Sequence, residues 1–287
     1  MSTLISVDEL ASLLNTRPAV GDSPVVPELV LLDVRWILGR TDGDVAFADG
    51  HIPGAVYVDL DAELAGPAGA GAGRHPLPTA SDFEAAARSW GVSAGTEVVV
   101  YDAAHSFSAS RAWWLLRNAG LDSVRVLDGG LRAWVTGGHP VEQGTGVRPD
   151  NGTLEVRWGS LPTVDIDEAA AFPAAGRLLD ARAGERFTGE QEPIDPRAGH
   201  VPGAVSAPTT GNLRRDGSFL PASELRERFA GLDIDSETSV AVYCGSGITA
   251  SHQILALEVA GISASLFPGS WSQWSNDAAR PVAVGLD

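Results

Sequence analysis

The stretch Ser239-Val-Ala-Val-Tyr-Cys244-Gly-Ser-Gly-Ile-Thr-Ala-Ser251 contains the only cysteine of a 287-residue chain. Val240 to Tyr243 is a short apolar run bounded by turn residues, the pattern of a buried strand. Gly245 and Gly247 permit a tight loop after it, and Ala250 to Ala260 follows as a predicted helix with Gly261 as its stop. Strand, glycine loop and helix together set a lone thiol among backbone N–H groups at a helix N-terminus. Such a place stabilises an anion and so favours the nucleophilic thiolate. A single cysteine is more often a small buried hydrophobe. Here the glycine loop favours the reactive reading.

Working outward, the chain repeats itself. Leu178-Leu-Asp180-Ala-Arg182 matches Leu31-Leu-Asp33-Val-Arg35 at an offset of 147, and Gly199-His-Val-Pro-Gly-Ala204 matches Gly50-His-Ile-Pro-Gly-Ala55 at 149. Val240 to Cys244 matches Val98 to Asp102 at 142, and Gly269 and Trp274 match Gly129 and Trp134 at 140. Four landmarks in one order with slowly drifting offsets indicate a tandem duplication, and the period is too long for a solenoid. Apolar strand-like runs alternate with helical segments, which predicts an α/β fold with a mainly parallel sheet in each copy. Helices are predicted near Val7–Leu14, Ser81–Trp90 (with Ser81 as N-cap), Ser110–Gly120 and Leu131–Thr136. The expected division is 1–140, a Gly- and Pro-containing linker at 141–162, and 163–287. In the first copy Asp102 stands where Cys244 stands in the second, and no glycine loop follows it. That copy has no nucleophile at this position and is expected to be catalytically inactive, serving as a wall of the active site. In parallel sheets ligands gather at the carboxyl ends of the strands, where both residues fall.

Composition narrows the partners. The formal charge of −17 argues against nucleic acid and anionic membranes, and an anionic substrate would need local cations and amides to hold it. One cysteine excludes an intrachain disulfide and a cysteine-rich zinc site, and the histidines share no ligand spacing, so no metal and no cofactor are expected. Met1 to Glu9 lacks the basic region and apolar run of a signal peptide, and no apolar run reaches the length of a membrane span. A cytoplasmic protein is expected, in a compartment that keeps the thiol reduced.

The ordered set of Gly-His-(Ile/Val)-Pro-Gly-Ala turns, Asp-(Val/Ala)-Arg strand ends and the loop Cys244-Gly-Ser-Gly-Ile-Thr249 resembles the rhodanese-like sulfurtransferases in their two-domain form. The resemblance runs from Leu31 to about Trp274. It implies two tandem rhodanese-like domains, each a mainly parallel sheet flanked by helices, with the working cysteine in the second. Thiosulfate-preferring members look like Cys-Arg-Lys-Gly in this loop. Gly245 and Ser246 instead resemble the 3-mercaptopyruvate-preferring type. In that type the loop serine acts with a histidine and an aspartate, for which His75 and Asp61 are the matching positions. By the same resemblance Arg186 holds the anionic end of the donor, since a guanidinium can grip a carboxylate with two prongs. Arg197, before the second Gly-His turn, is a second candidate for the donor. The family's second arginine sits elsewhere in this loop, and a solvated surface arginine is the plainer alternative. The amides of Gly245, Gly247, Ile248 and Thr249 are expected to hold the charge on sulfur.

The implied reaction moves a sulfane sulfur from a small anionic donor, through a persulfide on Cys244, to cyanide or a thiol, with a thioredoxin-like protein as one candidate acceptor. Three alternatives stand beside it. Thiosulfate could be the preferred donor. A phosphatase or arsenate reductase would need an arginine six residues after the cysteine, where this chain has Ala250. A docking module with the same fold would need no cysteine at all. The remaining histidines and tryptophans have plainer readings. His51 and His200 belong to turns kept in both copies, so a structural role is expected. Trp113, Trp114, Trp271 and Trp274 fit helix packing, and only Trp36 is expected near the cleft.

Overall fold

A computed structural model describes residues 2–15, 29–147 and 149–286. Met1, residues 16–28, Arg148 and Asp287 fall within the expected segments but lie outside the described residues. Contacts divide the chain into two compact units: Met1–Leu64, Pro78–Ser160 and Asp216–Ser218 in one, and Ala65–Leu77, Leu161–Arg215 and Phe219–Asp287 in the other. The segment Ala65–Leu77, early in the sequence, therefore packs as part of the second unit.

The first unit is built on strands β1 (Leu4–Ile5), β2 (Leu29–Val34), β3 (Ala55–Val58), β4 (Glu97–Tyr101) and β5 (Val124–Leu127), in the order β1-β5-β4-β2-β3. The second has β6 (Arg177–Asp180), β7 (Val205–Ser206), β8 (Val240–Tyr243) and β9 (Ser265–Leu266), in the order β7-β6-β8-β9. Every strand pair among the described residues is parallel. The two sheets share one order, read β5-β4-β2-β3 and β9-β8-β6-β7. The place of β1 is taken in the second unit by a single parallel bridge, Thr163 to Leu266. Helices cover both faces of such sheets, which is why β2 (Leu-Val-Leu-Leu-Asp-Val) is buried at all six positions and shows no alternation.

Each core repeats the other. Leu31, Val99, Tyr101 and Trp134 of the first correspond to Leu178, Ala241, Tyr243 and Trp274 of the second. A fully buried tryptophan of this kind is worth about 3–5 kcal/mol against alanine. The repeated motifs prove to be fasteners. Arg35 holds Asp33 at 2.7 Å and donates to the Gly50 carbonyl at 2.7 Å; Arg182 holds Asp180 and donates to the Gly199 carbonyl at 2.7 Å. His51 and His200 stack on Phe47 and Phe187 at 3.8 and 3.7 Å, and the Nδ1 of each bonds the carbonyl of that same phenylalanine. The hydroxyls of Tyr101 and Tyr243 accept from the amides of Ile52 and Val201. Strand end and turn are thus clamped the same way in both units, which accounts for motifs kept where there is no nucleophile.

Local predictions differ from the structure in instructive places. The helices after β4 and β8 run Phe107–Asn118 and Ile248–Val259, two to three residues ahead of prediction. Ser106 (φ 61°) and Gly247 (φ 84°) adopt left-handed conformations that turn the chain directly into the helix. The cap of helix Ala80–Ser89 is Thr79, whose hydroxyl accepts from the Asp82 amide, not Ser81. Five short helices, Gly43–Asp49, Leu60–Glu63, Ile166–Ala171, Gly184–Thr188 and Ala222–Ala230, are not among those expected from the sequence. No helix among the described residues is long and apolar enough to cross a membrane.

Candidate active site

Cys244 follows directly on β8 and is 1 % exposed. Its sulfur accepts from the Gly247 amide at 3.1 Å. Its own amide donates to Ser270 Oγ at 3.1 Å, and its carbonyl and that of Gly245 accept from the Trp271 and Ser272 amides at 2.9 Å. The loop backbone is thereby tied to the start of helix Ser270–Asn276. The amides of Gly245, Ser246, Ile248 and Thr249 have no acceptor among the described residues. They are the donors that a charge on or near the sulfur can use.

A second segment of the same unit lies against this loop. Gly73 has φ +91°, and a Cβ there would sit 2.7 Å from the Gly269 carbonyl oxygen and 2.8 Å from Ser272 Oγ. Only glycine allows so close an approach. The next amide, of Arg74, donates to Ser272 Oγ at 3.0 Å, and the Gln273 side chain donates to the Gly71 carbonyl at 2.7 Å. Docked this way, the segment brings the buried His75 Nδ1 to 2.7 Å from Ser246 Oγ.

Four charged side chains, Arg74, Arg186, Glu192 and Asp195, frame the same loop. Arg186, in the short helix Gly184–Thr188, is held by Glu192 through its Nε and Nη2 at 3.2 and 2.7 Å, and by Asp195 at 3.1 Å. The other oxygen of Asp195 accepts from Arg74. Burial pushes the Asp195 carboxyl above its ordinary value, opposed by Arg74 and Arg186 and helped by the like charge of Glu192. Glu192 also meets Arg182 at 3.3 Å and accepts from the Ile194 and Asp195 amides, so one carboxylate shapes the whole turn.

Of the residues expected from sequence, Cys244, Gly245, Ser246, Gly247, Ile248, Thr249, His75 and Arg186 gather at this loop. Arg197 requires a correction. Its guanidinium donates to the main-chain carbonyls of Trp274, Ser275, Asp277 and Arg280 at 2.6–2.8 Å. With four of its donors committed to backbone, it fastens the chain after helix Ser270–Asn276 and is neither donor-binding nor a solvated surface arginine. Asp61 lies in the first unit, exposed, where it accepts from the Trp36 indole at 3.0 Å. Sequence reasoning missed Arg74, Glu192 and Asp195. The one available signal was that Arg74 precedes His75, and no spacing rule connects it to a loop 170 residues away. Among the described residues no group of three or more His, Cys, Asp or Glu could hold a metal ion.

The family of the rhodanese-like domain matches this chain twice, over residues 6–136 and 165–277. A putative thiosulfate sulfurtransferase, SseB, of Mycobacterium tuberculosis is 42 % identical over 287 residues, covering 98 % of this chain and 97 % of the relative. A probable 3-mercaptopyruvate sulfurtransferase of Pseudomonas aeruginosa is also 42 % identical, covering 90 % of this chain and 93 % of its own. The crystal structure of SseA from Escherichia coli, described as a 3-mercaptopyruvate sulfotransferase, superposes with a TM-score of 0.78 at 31 % identity, covering 94 % of this chain and 99 % of that one. Two sheets of one strand order, a single thiol at the end of the second, and these relatives lead to one conclusion: the chain belongs to the rhodanese-like family and is a sulfurtransferase with two such domains in tandem.

Proposed function

We propose that this enzyme takes its sulfur from 3-mercaptopyruvate. The Cys244 thiolate attacks the donor's sulfur, the donor's C–S bond breaks, and the electron pair leaves as the enolate of pyruvate. Ser246 Oγ gives that enolate its proton and is reprotonated through His75. Cys244 is left as a persulfide, with the loop amides from Gly245 to Thr249 around its charge. Cyanide or a thiol then takes the outer sulfur as thiocyanate or a new persulfide and restores the Cys244 thiol. A thioredoxin-like protein fits as acceptor because it presents a nucleophilic thiol, and the cycle suits a reducing compartment such as the cytoplasm. Catalysis belongs to 163–287 together with the docked segment Ala65–Leu77, and the remainder of 1–140 carries no nucleophile at the matching strand end. The observation that carries this reading is the 2.7 Å contact between His75 Nδ1 and Ser246 Oγ. A proton relay serves a carbon leaving group, which must be protonated, and sulfite needs none.

Thiosulfate is the second reading. Arg74 and Arg186 present guanidinium groups beside the loop, and the Mycobacterium tuberculosis relative bears that activity in its name. The test is cyanide-dependent thiocyanate formation with each donor, on wild type and Cys244→Ser. The expected result is a higher kcat/KM with 3-mercaptopyruvate and a loss of at least ~10³-fold in the variant. A higher value with thiosulfate refutes the proposal.

A further inference from the structure

Ser272, buried in helix Ser270–Asn276, is bonded to the main chain on both sides of the His75–Ser246 contact. Its amide donates to the Gly245 carbonyl at 2.9 Å, and its hydroxyl oxygen accepts from the Arg74 amide at 3.0 Å. Gly245 precedes Ser246 and Arg74 precedes His75, the two residues whose side chains meet at 2.7 Å. The hydroxyl's own proton goes to the Gly269 carbonyl at 3.1 Å, which turns its lone pairs toward the Arg74 amide. Gln273 adds a second tie, from its side chain to the Gly71 carbonyl at 2.7 Å. The segment held by these bonds is itself closed. The Gly66 amide donates to the Pro76 carbonyl at 3.0 Å, and Gly69 and Gly73 form a bridge across it. A compact loop of this kind is placed by the few bonds that tie it down.

The first copy separates what the fold needs from what is added. At the offset of 140, Arg132 and Ala133 stand where Ser272 and Gln273 stand in the second. The Arg132 amide donates to the Ala103 carbonyl at 3.0 Å, the same bond that Ser272 makes to Gly245, so that bond belongs to the fold. The Arg132 side chain donates instead to the Asp216 carbonyl, and Ala133 has no group to donate. The hydroxyl and the carboxamide that hold the His75 segment thus occur only in the copy that has the cysteine. We propose that Ser272, seconded by Gln273, is a positioning residue that sets where His75 meets Ser246. It acts through His75 and not on the donor. A hydrogen bond is lost within less than 1 Å of added separation, so a ring carried on a loop needs such a tether to keep its partner. The importance of this contact for turnover rests on the relay of the proposed function.

The test reads His75 directly. Diethyl pyrocarbonate acylates a ring nitrogen of neutral histidine, and peptide mass of the labelled full chain gives a rate for each histidine. In wild type His75 is expected to react slowly, being buried with Nδ1 against Ser246. In Ser272→Ala its rate is expected to rise about 3- to 10-fold, the effect of losing one hydrogen bond. His200 and His252, buried in the same unit, are expected to keep their wild-type rates. Gln273→Ala shifts His75 the same way by less, because Gly71 is farther from it along the chain, and stands in should Ser272→Ala not fold. With 3-mercaptopyruvate, kcat in Ser272→Ala is expected to fall about 3- to 10-fold with KM little changed. It falls no further when Ser272→Ala is added to His75→Ala, since the two share one route. An unchanged His75 rate in both variants, a rise shared equally by His200 and His252, or additive losses in the double variant overturns the assignment. The outcome is separable from that of the proposed function. Wild type that turns over 3-mercaptopyruvate while His75 keeps its rate in both variants sinks the positioning role alone; wild type that fails with this donor while the His75 rate still rises sinks the donor alone.

Discussion

Asp102 and Cys244 stand at the same strand end in two copies of one fold, each after a tyrosine that clamps a Gly-His turn. Their loops do opposite things with the same kind of backbone. The Asp102 carboxylate accepts from the amides of Ala104, Ser106, Ser108 and Ala109, at 2.9–3.3 Å, and from the Ser108 hydroxyl at 3.1 Å. The first loop carries its own anion, and its amides are committed to holding the structure. Cys244 accepts one amide, from Gly247, and the others around it have no acceptor among the described residues. A fold that gathers N–H groups at a helix start can therefore use them for stability or for chemistry, according to whether the side chain at the strand end reaches back to fill them.

The sharpest break of this comparison is at the proposed relay of Ser246 and His75, which touch at 2.7 Å. Ser246→Ala and His75→Ala are each expected to lower kcat with 3-mercaptopyruvate by about 100-fold, with little change for thiosulfate, whose departing sulfite requires no proton. The double variant should be no worse than the poorer single one, because the two act as a unit. Additive losses, or equal losses with both donors, would remove the relay. The next largest effect belongs to the first loop. Asp102→Ala leaves four amides without their acceptor and is expected to cost about 3–5 kcal/mol in urea unfolding, with Asp102→Asn costing less. A variant as stable as wild type would mean that the self-filled loop is incidental.

The smallest effect concerns the strand-end pair Asp33 and Arg35. Burial pushes the Asp33 carboxyl up to about 6, against the pull of Arg35. A carboxyl raised on folding favours the folded state most when it is protonated. Its contribution is thus full below about pH 4 and is lost as pH rises through about 6. The stability of wild type relative to Asp33→Asn should therefore decline between pH 4 and 7, by on the order of 3 kcal/mol or less. Urea midpoints of both proteins at three pH values in that range measure it, and parallel curves would deny the shift.

Much of this protein was legible in one dimension because duplication writes each structural device twice. Asp33/Arg35 with Asp180/Arg182, and the two Gly-His turns, stand out by repetition, and the structure gives them the same bonds in both units. The proposed nucleophile stood out because it breaks the repeat: one copy has Asp102, the other Cys244. Glycines at 245 and 247 then marked a loop that only small residues can close. Parallel strand pairing followed from the alternation of apolar runs and helices. These are local signals, set by residue chemistry and by the 2.0 and 3.6 periods of the backbone.

What the order of residues could not supply is everything that depends on contact across the chain. Arg197 looks in sequence like a ligand for an anion, and four main-chain carbonyls claim it because the chain past helix Ser270–Asn276 returns to that spot. Arg74 looks like any arginine in a glycine-rich loop, and the close approach of Gly73 to Gly269 and Ser272 delivers it to the side of Gly245. Sequence fixes which groups can ionise, donate or attack. Which of them meet is decided by packing, since a hydrogen bond acts over about 3 Å and so responds to distance in space alone.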